Sequence, residues 1–129
     1  MNQSDVVIEQ FCLEVAESQH LFTIEDDNGI PTPKNDDNTL SMPFWSTQAQ
    51  AETFLQTEPG YQNFKLIEVQ WLTFVDKWVD GLQKEGVCAG INWQANNQTH
   101  VDDKIHDIVD RIHALMKKMI EDQILAESA

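Results

Sequence analysis

Apolar positions change period along the chain, and those changes mark out the elements. Val7, Ile8, Phe11, Cys12 and Val15 recur three and four residues apart, which puts them on one face of a helix capped by Ser4 or Asp5 and ending near Ser18. From His20 to Glu25 the spacing becomes two, with Phe22 and Ile24 on one side and Leu21 and Thr23 on the other, as in a strand. Asp27-Asn28-Gly29 then supplies the residues of a tight hairpin turn. The return strand, Ile30 to Lys34, holds Pro31 and Pro33, so it must be short and at an edge, or partly irregular.

A polar loop at Asn35-Asp36-Asp37-Asn38 precedes a short extended segment from Leu40 to Trp45. Thr47 and Gln50 have capping-box spacing at the start of the next helix, whose Ala51, Phe54 and Leu55 face the core. Pro59-Gly60 breaks the chain before a strand from Lys65 to Val69. In the helix that follows, from about Trp71 to Lys84, Trp71, Leu72, Phe74, Val75, Trp78, Val79 and Leu82 fall within roughly 160° of arc. Val87 to Trp93 is nearly continuous in apolar residues, as a central strand covered on both faces would be. After a loop at Asn96-Asn97-Gln98, a last helix runs from about Val101 to Leu125, with Ile105, Ile108, Val109, Ile112, Leu115, Met116 and Met119 on one stripe.

This order neither repeats nor alternates as a doubly wound fold does. It predicts an α+β domain: a mainly antiparallel or mixed sheet of about five short strands, packed helices and a long C-terminal helix. The whole chain, 1–129, reads as a single domain, and 111–129 as an extension of the last helix beyond the body. At 129 residues the chain can bury about two thirds of its unfolded surface in one core.

Charge adds a constraint on partners. The formal charge is −14, and residues 1–60 carry 11 acidic side chains against Lys34 alone. Phosphate recognition draws its affinity from Lys and Arg, so nucleic acid and anionic membrane surfaces are poor partners for this chain. An acidic face suits a basic protein partner, and it also keeps a protein soluble. No window approaches a membrane span, and the N-terminus lacks the basic and apolar regions of a signal peptide, which predicts a cytoplasmic protein. Cys12 and Cys88 have apolar neighbours and no metal-type spacing, so they read as buried, reduced thiols.

The chain carries no phosphate-cradling glycine loop and no nucleophile elbow, and it implies no cofactor. Ser46 in Phe-Trp-Ser-Thr-Gln reads as part of a helix cap. Asp102, His106, Asp110 and His113, spaced 4, 4 and 3 apart, would lie within about 80° on the last helix, a donor set able to chelate a divalent cation. Lys117 and Arg111 lie beside them, and a partly solvated polar face accounts for the same residues. The acidic runs at Glu25-Asp26-Asp27-Asn28 and Asp36-Asp37-Asn38 offer calcium-type oxygens without EF-hand spacing and read as turn chemistry. Trp45, Tyr61, Phe64 and Trp93 lie at element ends, where they line a shallow binding groove or pack inward.

Leu21 to Gly29, then Leu40-Ser41-Met42-Pro43-Phe44-Trp45-Ser46 and Ala51, with Gly60-Tyr61, Phe74, Trp78, Leu82, Gly86-Val87 and Asn92-Trp93, resemble a bacterial family defined as domain of unknown function 2750. The resemblance spans roughly residues 5 to 110 and implies a small cytoplasmic α+β domain with no assigned activity. The chain departs from it at Phe22, where the family tends to carry Trp, and in the helix beyond Arg111. Over a much shorter stretch, Pro43 to Ser46 ahead of a helix is similar to the N-terminal domain of secretion-associated SseB-type proteins. The leading expectation is a non-enzymatic interaction or accessory protein that binds a basic partner through its acidic half, an immunity-like inhibitor being one version. The alternatives are a metal- or small-ligand-binding enzyme on the His106/His113 face, and a homodimer built by the C-terminal helix through Ile120, Ile124 and Leu125.

Overall fold

The computed structural model describes residues 3–95 and 100–128, so the loop expected at Asn96-Asn97-Gln98 lies outside the described residues. The first helix, α1 (Gln3–Ser18), starts ahead of both expected caps, and buries Ile8, Phe11, Cys12, Val15 and Ala16. It stops where Gln19 turns left-handed, at φ 61°, and returns its N–H to the carbonyl of Val15 at 2.7 Å. The chain then enters β1 (His20–Glu25), which pairs antiparallel with β3 (Lys65–Gln70) over six residue pairs. β2 (Leu40–Phe44) runs parallel to β4 (Val87–Ile91), and β5 (Val101–Asp103) pairs antiparallel on the other side of β4. Reciprocal bonds of 2.8 Å between the backbones of Phe22 and Trp45 join the two sheets. The result is α+β with mixed strand directions, and β4 occupies the central place that its unbroken apolar run predicts.

The partner of β1 differs from the expected one. Asp26 and Gly29 do close a tight turn, with bonds of 3.1 and 3.0 Å and Gly29 at φ 108°, but the chain does not return along β1. Pro31 and Pro33 have no N–H to give, so β1 is paired instead by β3, which brings a full row of donors. The proline segment meets β2, where Ser41 donates to the carbonyl of Pro33 at 3.1 Å.

Helix α2 (Gln48–Thr57) has Thr47 as its N-cap, whose hydroxyl accepts from the Gln50 N–H at 3.3 Å, and it buries Ala51 and Phe54. The amphipathic helix after β3 comes in three stretches: α3 (Trp71–Thr73), a π-helical turn (Phe74–Trp78) and α4 (Val79–Lys84). Trp71, Phe74 and Leu82 are buried as expected, whereas Leu72, at the edge of the arc, is 76% exposed. The last helix, α5 (Ile105–Ser128), begins four residues later than its apolar spacing suggests, because Val101–Asp103 pair with β4 before the helix can start.

Two apolar clusters hold the layers together. The larger joins α1, the strands and the first turns of α5, with Phe11, Phe44, Trp71, Phe74, Ile91 and Ile112 inside it. The smaller gathers Phe22, Ile24, Trp45, Ala51, Phe54 and Trp93 between α2 and the β1 side of the sheet. At roughly 25 cal/mol per Å² of apolar surface, such burial is the main favourable contribution to folding.

Candidate functional site

The residues expected to line an aromatic groove do come together, in a chain of rings that runs outward from the core. Trp45, fully buried, packs on Phe54 at 5.0 Å between centroids; Phe54 meets Tyr61 at 5.1 Å, and Tyr61 meets Phe64 at 5.1 Å. Tyr61 and Phe64 are half-buried, and burial raises the Tyr61 phenol above its ordinary value. Trp93 is buried beside them, with its indole N–H on the Val101 carbonyl at 3.1 Å and His100 stacked on its face at 4.3 Å. Tyr61 and Trp93 share a cavity of about 180 Å³ with Pro33, Phe54 and His100. A larger cleft of about 560 Å³ runs between α2 and Asn92-Trp93-Gln94. Trp45 reaches neither opening and spends its polar edge inside, donating to the Trp93 carbonyl at 2.9 Å.

A buried polar node underlies this aromatic cluster. Asn92 leaves β4 with φ 49°, and its side-chain oxygen accepts the Ser46 N–H at 2.9 Å. Its amide nitrogen donates to the Ser46 hydroxyl at 3.0 Å, and that hydroxyl donates to Glu14 of α1 at 2.6 Å. Three separate segments are thereby fixed to one another. Ser46 is 2% exposed and its hydroxyl is held by Glu14, Gln50 and Asn92, so it serves as a cross-link at a helix start and is shut away from solvent. The sequence offered one clue to this node, the placing of a polar residue directly beside each of Trp45 and Trp93.

The structure separates the four metal candidates. Asp102 belongs to β5, opposite Gly90, and only the other three lie on α5. Asp102 Oδ2 is 3.3 Å from His100 Nε2, while His106, exposed in the first turn of α5, has Asp107 at 3.1 Å. His113 sits edge-on to Trp71 at 5.5 Å. Among the described residues no three His, Cys, Asp or Glu side chains are placed to hold a metal ion.

What Asp102 joins is a different grouping. Asp36, Asp37, Asp102 and Asp103 line one groove of about 960 Å³, together with Lys34, Lys104, His100 and Cys88. Its shape follows from the parallel β2–β4 ladder and the antiparallel β4–β5 ladder, which bring the loop before β2 next to β5. Asp37 accepts from the Thr39 hydroxyl at 2.6 Å and its N–H at 3.1 Å, bonds that hold its carboxyl below the usual carboxylate value. Asn35 locks the same loop by donating to Thr39 and Ser41 at 2.9 and 2.8 Å. Asp102 Oδ1 is buried with no hydrogen-bond partner. Cys88, expected in the interior with Cys12, is only partly buried and lines the groove; burial raises its thiol, and Asp102, Asp37 and Asp103 raise it further. Across the core, burial takes the Cys12 thiol to about 12. Both cysteines are free, and neither is activated as a nucleophile. The other acidic run serves its own turn, Asp26 Oδ1 accepting the Asn28 N–H at 2.9 Å.

A small α+β domain, with an aromatic cluster on one side of the sheet and an acidic groove at the β2–β5 end, is thus the class of protein at hand. The chain belongs to the family described as "Protein of unknown function (DUF2750)", whose model matches residues 8–106. No curated protein matches it. Among solved structures, Anabaena Tic22 (protein transport) is similar at 14% identity and a TM-score of 0.36, over 63% of this chain. The chain spans 44% of that structure's length. No helix among the described residues is long and apolar enough to cross a membrane.

Proposed function

We propose that this domain is a cytoplasmic, non-enzymatic interaction module that binds a basic segment of a partner protein along the groove between the loop before β2 and strand β5. The observation that carries the reading is convergence: two acidic pairs, Asp36-Asp37 and Asp102-Asp103, are far apart in sequence and meet on one surface. Four carboxylates there outweigh Lys34 and Lys104, and the −14 charge of the whole chain would speed the approach of a cationic partner. Burial disfavours the thiolate at both cysteines and shuts Ser46 away from solvent, which favours recognition over turnover.

A titration of the labelled protein with an oligo-arginine peptide, followed by NMR, tests the reading. Shifts concentrated at residues 34–39, 88 and 100–104 are expected, and they should fade as salt is added. Equal small shifts at acidic residues over the whole surface would mean that net charge alone is at work and would remove the groove from the account.

A further inference from the structure

We infer that the last three turns of α5 form an antiparallel helix pair with the same turns of a second copy of this chain. Helix α5 has 24 residues, but its buried side chains end at Ile112 and its half-buried ones at Met119. From Ile120 to Ser128 every residue is exposed, and Ile120 and Ile124 are 59% and 55% accessible. At 1.5 Å per residue, about 12 Å of helix carries apolar side chains past the part of the body that could cover them. This stretch lies beyond residues 8–106, which the family model matches.

Lys117, Ile120, Ile124 and Glu127 recur at spacings of three, four and three, which is the seam of a two-helix coil, and all four are exposed. The order along that seam is cation, apolar, apolar, anion. Laid antiparallel on a second copy, with the crossing at Asp122, it sets Ile120 against Ile124 of the second copy and Lys117 against its Glu127, and the symmetry repeats both pairs. A parallel arrangement sets Lys117 against Lys117 and Glu127 against Glu127, so it is disfavoured by like charges at both ends. The charge order of the exposed seam thus selects a second copy as the occupant and fixes its direction. Two apolar side chains per copy make a small contact, below the roughly 1,200 Å² of a stable interface, so the pair forms reversibly and depends on concentration.

Sedimentation velocity of the full chain over a concentration series reads the association. The expected result is a monomer that converts to dimer as concentration rises. Ile120→Asp with Ile124→Asp should abolish the dimer, and because both positions are exposed the fold, followed by circular dichroism, should be unchanged. Lys117→Glu alone should weaken association about tenfold, and adding Glu127→Lys should restore it. A chain monomeric at every concentration overturns the inference. So does a dimer that survives the double aspartate variant, and a dimer indifferent to Lys117→Glu would overturn the antiparallel direction.

Discussion

The indole of Trp93 lies so close to the backbone of Gly90 that a methyl group on Gly90 would come within 2.5 Å of two of its ring carbons. Gly90 sits in the middle of β4, where glycine ordinarily weakens a strand, and its backbone needs no left-handed conformation. Space for the ring is the reason for it. Trp93 is buried and bonded to Val101, so it has no free direction in which to yield. Gly90→Ala is predicted to cost about 1–3 kcal/mol by overpacking. Denaturant melts would show the loss, and unchanged stability would mean that the ring relocates at little cost.

Asn92 combines two requirements that few residue types meet together. Its φ of 49° favours Asn or Gly, and its side chain satisfies a buried Ser46 N–H. Asn92→Gly should therefore lose only the hydrogen bonds, about 1–3 kcal/mol, whereas Asn92→Ala should lose about 1 kcal/mol more from backbone strain. Paired equilibrium melts separate the two effects. If both variants were equally stable, the conformational half of the argument would fail.

Cys88 reports on the acidic groove from within. Its thiol is raised first by burial and then by Asp102, Asp37 and Asp103, so removing a carboxylate lowers its pKa and enlarges the thiolate fraction at a given pH. Asp102→Asn should speed alkylation of Cys88 by iodoacetamide severalfold at mildly alkaline pH, with the rate profile displaced toward lower pH. The exposed Glu9→Gln on α1 should leave it unchanged. Equal rates in all three proteins would show that the carboxylates do not act on the thiol.

Much of the architecture is written in local periodicity. The α1 face, the apolar run of β4, the Thr47 cap and the buried Ala51 and Phe54 all follow from spacing, because each depends on neighbours within a few residues. Failures arise where the partner is distant or the element is short. Val101, Ile105 and Ile108 continue a helical spacing, yet Val101–Asp103 form a strand, since three residues are too few to show alternation and β4 has an edge to fill. The turn at Asp26 to Gly29 is legible, but nothing nearby in sequence says that β3, about 40 residues on, will take the place of the proline segment. The acidic groove was hidden for the same reason. Asp36-Asp37 looks like a loop and Asp102 like part of a helix face, and only the β2–β4–β5 order puts them on one surface.

Recognition of a basic segment by the groove is tested most directly by the affinity of a fluorescent oligo-arginine peptide for two variants of equal net charge. One carries Asp36→Asn, Asp37→Asn, Asp102→Asn and Asp103→Asn; the other carries Glu9→Gln, Glu17→Gln, Glu52→Gln and Glu121→Gln on exposed helix faces. The groove variant is predicted to bind at least about tenfold more weakly than the second, which should stay close to the unaltered protein. Equal weakening of both would contradict the account, because the peptide would then be sensing total charge and not this site.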